Sequence, residues 1–80
     1  SDVYKRQSFD IPKSEFIALR IFNLLGQDVK TLTSKIMNPG RYTFEWDGKD
    51  LLSNDVASGV YFYELRGESF ISRKKMLLIR

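Results

Sequence analysis

Three aspartates lie close together in a polar stretch of the chain, and carboxylates at such spacing could bind a hard cation. Asp47, Asp50 and Asp55 would offer the oxygen ligands that calcium prefers. Their spacing is not that of an EF-hand loop, and Asp47-Gly48 and Asn54-Asp55 are also typical turn sequences whose side chains accept hydrogen bonds from nearby backbone. We therefore expect these residues to shape a loop, and we expect neither a metal nor another cofactor.

Carboxylates in the same region could also form the acid–base pair of a glycoside hydrolase. The candidates are Glu45, Asp47, Glu64 and Glu68. On strands, however, alternate positions place such side chains on the solvent face. The chain has 80 residues with no Cys and no His, which excludes thiolate nucleophiles, Ser-His-Asp triads and zinc sites built on His or Cys. We expect no catalytic residues and no enzyme.

A basic run, Arg73–Lys75, precedes the apolar residues Met76–Ile79 and Arg80. Such a run could contact nucleic acid or anionic lipid. Consecutive side chains on a strand point to opposite faces, however, so the three charges form only a small basic area on either face. Charges on a terminal strand also protect its edge against aggregation. With a mild net charge of +3, we expect no nucleic-acid partner.

Two segments that flank the polar stretch predict the elements that would position these residues. Arg41–Trp46 and Val60–Leu65 alternate aromatic or β-branched residues with others, which is typical of antiparallel strands joined by a loop. Such a strand pair needs a second sheet to cover its apolar face, so the pattern predicts a small Ig-like antiparallel β-sandwich. The residues expected inside are Tyr42, Phe44, Trp46, Tyr61, Tyr63 and Leu65, with Val60 and Phe62 half covered.

The remaining chain predicts further strands separated by turns. We expect strands at 8–11, 16–23, 27–36 and 70–80, the third being shorter and more irregular than the second. In the strand at 16–23, Ile17, Leu19 and Ile21 share one face. The expected turns are at 12–15, 23–26, 38–40 and 66–69, where Pro, Gly, Asn and Ser are concentrated.

A helix is the alternative for the region from residue 17 to residue 32. Gly26 would then lie inside the helix at a cost of about 1 kcal/mol relative to Ala. Asn23 and Gly26 also bracket two leucines as a turn would, so we favour strand, turn, strand. The alternative depends on an approximate helical stripe, formed by Ile17, Ile21, Leu24, Leu25, Val29 and Leu32.

The first residues resemble material that is not part of the natural protein. Asp2–Gln7 reads DVYKRQ, which resembles the translated end of a sequencing-library adapter. We therefore expect residues 1–7 to be non-native and residues 8–80 to form one domain. In the other interpretation, Val3–Gln7 opens a natural strand. No stretch approaches the roughly 20 apolar residues of a membrane span.

Three segments of the chain together resemble a known family. They read RIFNLLGQDVKTL, NPGRYTFEWDGKD and VASGVYFYELRGESFISRKKMLLIR. They resemble the type A C-terminal sorting domain of the type IX secretion system, and also the immunoglobulin-like domain of flagellar hook-capping proteins. The resemblance covers Phe9–Arg80. Members of the family have a further strand before the position of Phe9, so the resemblance implies that this chain lacks most of its first strand.

The sorting-domain resemblance implies a secretion signal that exports an upstream cargo through the periplasm to the cell surface or the medium. Its partners would be outer-membrane components of the type IX machinery and a sortase-like peptidase. The hook-capping resemblance implies instead a structural module of a flagellar or multidomain surface protein. The implied shape-determining residues are Gly26, Trp46, Asp47, Gly48, Gly59 and Tyr61. The implied recognition residues are Arg73, Lys74, Lys75, Met76, Leu77, Leu78, Ile79 and Arg80.

Overall fold

The protein is all-β in a computed structural model that describes residues 6–80. No helix occurs among these residues, so none is present that is long and apolar enough to cross a membrane. This confirms the predicted fold class and excludes the helical alternative for residues 17–32. The six strands are β1 (Arg6–Ile11), β2 (Glu15–Asn23), β3 (Asp28–Met37), β4 (Gly40–Glu45), β5 (Gly59–Arg66) and β6 (Ile71–Leu78).

The strands form two antiparallel sheets. One contains β1 and β4, and the other has the order β3-β2-β5-β6. Their apolar faces cover each other, so the predicted sandwich is confirmed. The buried core consists of Phe9, Ile11, Ile17, Leu19, Ile21, Met37, Trp46, Tyr61, Tyr63, Leu65, Met76 and Leu78.

The alternation predicted for the central strands agrees with the structure. Ile17, Leu19 and Ile21 of β2 are fully buried, while Arg20 and Phe22 are only half-buried on the outer face. In β5, Tyr61, Tyr63 and Leu65 face inwards, whereas Val60 and Phe62 are half-buried, as expected.

Strand β3 differs from the prediction in its length relative to β2. It has ten residues, one more than β2, so the expectation of a shorter strand was wrong. The expected irregularity is present, because the β2–β3 register shifts twice. At each shift β3 carries one extra residue, and these residues, Leu32 and Val29, pack against the core. Such bulges lengthen a strand without breaking it.

The strand predicted at 8–11 is present and begins at Arg6, two residues earlier than expected, whereas the loss of the family's strand before Phe9 stays a prediction. β1 pairs with β4 over all six of its residues, from Arg6 opposite Glu45 to Ile11 opposite Gly40. Arg6 also forms an ion pair of 2.6 Å with Glu45. Two residues of the segment that resembles an adapter therefore lie in β1. Residues 1–5 are outside the described part of the chain, and the origin of residues 1–7 stays a prediction.

The turn between β2 and β3 has the predicted residues in the predicted roles. The Asn23 side-chain oxygen accepts hydrogen bonds from the backbone N–H groups of Leu25 and Gln27, at 3.0 and 2.9 Å. Gly26 has a φ of +80°, a conformation that costs glycine little because it has no Cβ. The turns at 38–40 and 66–69 also connect consecutive strands, as predicted.

Candidate interaction surface

The long connection between β4 and β5 is built around the side chain of Trp46. The indole is buried, and its N–H donates to the Lys49 carbonyl at 2.8 Å. Its ring packs edge-on against Tyr61, with ring centroids 5.0 Å apart. Asp47 accepts a hydrogen bond from the Lys49 backbone N–H at 3.0 Å. The connection is therefore held to the core at its first turn.

The three aspartates considered as calcium ligands each have a different set of partners. Asp50 accepts hydrogen bonds from the backbone N–H groups of Leu52 and Asn54, at 3.0 and 2.9 Å. Asp55 pairs with the Lys49 ammonium at 2.9 Å. Within residues 6–80, no three acidic side chains are grouped closely enough to hold a metal ion. The aspartates thus stabilise the loop in the way that turn sequences do.

Arg80 fastens the end of the chain to this loop. Its guanidinium donates to the carbonyl oxygen of Val56 at 2.6 Å and to that of Gly48, and it lies 3.4 Å from Asp55. Its backbone N–H donates to the Ser58 hydroxyl at 3.0 Å. Arg80, which the resemblance assigned to recognition, therefore also has a structural role.

Two further residues implied to hold the shape of the domain lie beside these Arg80 contacts, which we call the Arg80 clamp. Gly48 has a φ of +74°, and a Cβ built on it would lie 2.8 Å from an Arg80 guanidinium nitrogen. The Tyr61 hydroxyl donates to the Ala57 carbonyl at 2.6 Å. A tyrosine hydroxyl bonded to backbone a few residues upstream is also found in immunoglobulin sandwiches, as the tyrosine corner. Gly59, the first residue of β5, follows this loop.

The side chains of β6 divide between its two faces. Arg73 and Lys75 point outwards, opposite Glu64 and Phe62 of β5. Lys74 lies on the inner side, where its ammonium is 4.9 Å from the centre of the Phe9 ring and donates to the Ser8 carbonyl at 2.8 Å. The basic run therefore does not form a single charged surface.

The apolar half of the implied recognition region is divided in the same way. Met76 and Leu78 are buried in the core, whereas Leu77 and Ile79 are 43% and 47% exposed. A partner that meets the folded domain can reach the second pair but not the first. The exposed residues of this region are thus Arg73, Lys74, Lys75, Leu77, Ile79 and Arg80, of which Lys74 and Arg80 also bond to other parts of the domain.

Glu64 corrects the expectation that the strand carboxylates are solvated. It lies on the outer face of the sheet, but only 4% of its surface is exposed, because Arg66 and Arg73 bond to its carboxylate at 3.2 and 2.8 Å. Burial raises its pKa, but the two guanidinium groups outweigh this effect and hold the pKa below its ordinary value. Glu45, Asp47 and Glu68 are exposed, as expected.

A second buried carboxylate, Glu15, was not singled out from the sequence. It accepts hydrogen bonds from the Ser69 backbone N–H at 3.0 Å and from the Ser69 hydroxyl at 2.9 Å. Burial raises its pKa, and these bonds lower the pKa by more, so that the net shift is downward. Glu15 therefore fastens the β5–β6 hairpin to β2. No local signal in the sequence marks this contact; in the structure, a Cβ on Gly67 of that hairpin would collide with the Glu15 carboxylate.

A groove crosses the outer face of the four-stranded sheet. It has a volume of about 600 Å³. Phe22 and Phe62, which are paired in register on neighbouring strands, are both half-buried in it. Leu24, in the β2–β3 turn, borders the groove and is 69% exposed. The groove is also lined by Glu64, Arg73, Lys74 and Lys75, with the Lys74 ammonium itself turned to the inner side. It therefore combines an aromatic surface with basic groups.

Comparison with known proteins gives one family. A family model described as the FlgD Ig-like domain matches residues 8–69. No curated protein and no solved structure matches the chain. The match supports the hook-capping relationship indicated by the sequence, and it ends before β6 begins. Because it covers more than half of the chain, this protein belongs to the family of FlgD Ig-like domains.

Proposed function

We propose that this chain is a structural, non-catalytic Ig-like module of a flagellar hook-capping or multidomain surface protein, and that it acts in assembly. The observation that carries the proposal is the family match over residues 8–69. The module would bring no cofactor, and its partners would be other proteins at the cell surface.

The contacts of the acidic side chains support a structural role. The carboxylates of Glu15 and Glu64 are each held by hydrogen-bond donors that lower the pKa, whereas a general acid at neutral pH needs a raised pKa. Asp47, Asp50 and Asp55 hold the loop between β4 and β5. Glu64 and the three loop aspartates, which were first considered for chemistry, therefore stabilise the fold.

The test removes residues 8–80 from the full-length protein that carries them. If the module serves assembly, the shortened protein is exported in the same amount as the intact protein but no longer enters its assembly. Both quantities are measured by fractionation and immunoblotting. Assembly that continues without the module would contradict the proposal.

The second candidate is the C-terminal sorting signal of the type IX system, and the position of β6 favours it. β6 lies at one edge of the four-stranded sheet, and edge strands present unpaired backbone groups to which a partner strand can be added. In this reading, outer-membrane components of the machinery bind β6, and a sortase-like peptidase removes the domain from its cargo. The removal experiment separates the two candidates, since loss of a signal abolishes export itself.

A sharper test of the signal changes only the outward side chains of β6. The variant Lys75→Glu with Leu77→Glu leaves the buried Met76 and Leu78 in place, so the core is retained. The matched control is Lys35→Glu with Ile36→Glu, which makes the same changes at exposed positions of β3, the opposite edge strand. The signal predicts that only the β6 variant of a full-length cargo accumulates inside the cell. Equal export of both variants would refute it.

A further inference from the structure

We propose that the groove on the outer face of the sheet binds a short acidic peptide segment of a partner protein. An apolar side chain of the segment would lie on Phe22 and Phe62, and flanking carboxylates would pair with Lys75 and Arg73. The inference rests on the proposed function, because it names the kind of partner that an assembly module would take at this surface.

The size and lining of the groove fit one apolar side chain with its neighbours. Its volume of about 600 Å³ is within the range of roughly 300–1,000 Å³ typical of ligand sites. Phe22, Phe62 and Lys75 occupy one row across β2, β5 and β6. With strands about 4.8 Å apart, the row is about 10 Å long, which equals about three residues of extended chain.

The charge of the groove selects an acidic partner. The Glu64 carboxylate is covered and neutralised by Arg66 and Arg73, whose side chains remain 48% and 67% exposed. Lys75 is exposed and has no hydrogen bond or ion pair with any residue from 6 to 80. Within the groove, Arg73 and Lys75 lie around the single Glu64 carboxylate, which leaves a net charge of +1, since the Lys74 ammonium is turned to the other face of β6. An acidic segment complements this charge, and a basic segment is repelled by it.

The same arrangement does not favour a polyanion. Lys74 points to the opposite face of β6 and is engaged by Phe9 and Ser8. The outer face therefore presents separate cations around an aromatic surface and no continuous basic track, whereas binding to a phosphate backbone depends on many such contacts in series. A peptide with one apolar residue between acidic residues uses both the aromatic and the basic parts of the groove.

The test is a titration of the 80-residue chain, isotope-labelled for NMR, with the peptide Glu-Asp-Glu-Phe-Glu-Asp-Glu. We expect saturable shifts of the backbone amides of Phe62 and Lys75, which weaken as salt is added. The variant Lys75→Glu should weaken binding about tenfold. The control Lys35→Glu makes the same charge change on the exposed surface of β3 and should change binding by less than twofold.

Several results would overturn the proposal. They are the absence of saturable shifts, equal binding of a peptide with Gln and Asn in place of Glu and Asp, and equal weakening by the two variants. Tighter binding of a single-stranded oligonucleotide or of anionic vesicles would assign the groove to a polyanion. Sedimentation showing a dimer that Lys75→Glu dissociates would assign it to a second copy of the chain. None of these results changes the outcome of the domain-removal experiment, so the two proposals fail separately.

Discussion

The clamp formed by Arg80 gives a quantitative prediction. In the variant Arg80→Ala the guanidinium is lost, while the backbone hydrogen bond to Ser58 remains. The carbonyl groups of Val56 and Gly48 then lose a charged donor. We expect the domain to be destabilised because the loop between β4 and β5 is no longer tied to the end of the chain.

The magnitude follows from the contacts. A hydrogen bond to a charged group contributes about 1.5–3 kcal/mol, and partial solvent access reduces this, since the Arg80 side chain is 35% exposed. The pair with Asp55, 3.4 Å away on an exposed carboxylate, adds about 0.5 kcal/mol or less. Together these contacts indicate a loss of about 2 kcal/mol, equivalent to a fall in Tm of about 8–16 °C for a domain of this size.

The assay is urea denaturation of the 80-residue chain, followed by the fluorescence of its buried Trp46. Arg80→Lys keeps the charge but cannot reach both carbonyl groups at once, so we expect about half of the loss. Ile79→Ala, at a 47% exposed neighbour, should change stability by less than about 0.5 kcal/mol. If Arg80→Ala is as stable as Ile79→Ala, the clamp does not stabilise the domain.

Three further predictions concern single groups. Tyr61→Phe leaves the Ala57 carbonyl without its donor and should lower the free energy of unfolding by about 1–2 kcal/mol in urea denaturation. Gly48→Ala forces a Cβ towards Arg80 at a φ of +74° and should lower Tm by several degrees in calorimetry, about 1 kcal/mol or more. Because the folded state lowers the pKa of Glu64, the unfolded chain takes up the proton first. The contribution of Glu64 to the free energy of unfolding should therefore be fully present above pH 4.5, the ordinary pKa of a glutamate, and should be lost as the pH falls below it. The decline in stability should be smaller in Glu64→Gln.

The strands and turns could be predicted because their signals are local. Alternation along β2 and β5 assigned the inward residues of both strands, since side chains of a strand point to opposite faces in turn. The turn at Asn23–Gly26 was predictable because its two end residues have the conformations and side-chain bonds that turns require. These signals depend only on neighbours in the sequence.

The features that were missed depend on partners distant in the sequence. The burial of Glu64 requires Arg73, nine residues later on another strand, and the role of Glu15 requires Ser69, 54 residues later. The expectation that β3 is shorter than β2 was wrong because its two bulges interrupt the period of two without ending the strand. The extra residues Val29 and Leu32 also belong to the stripe that made a helix a competing interpretation.

The two edge strands of the four-stranded sheet, β3 and β6, differ in regularity, and this limits how copies of the domain can join. β6 pairs with β5 over eight residues in unbroken register, whereas β3 is interrupted twice. For copies to join edge to edge into a fibre, each copy needs two regular edge strands. Here one of the two, β3, is interrupted by bulges. If two copies pair through β6, the contact is isologous and the regular edge strand of each copy is covered. No regular edge then remains for a third copy, so the assembly stops at a dimer.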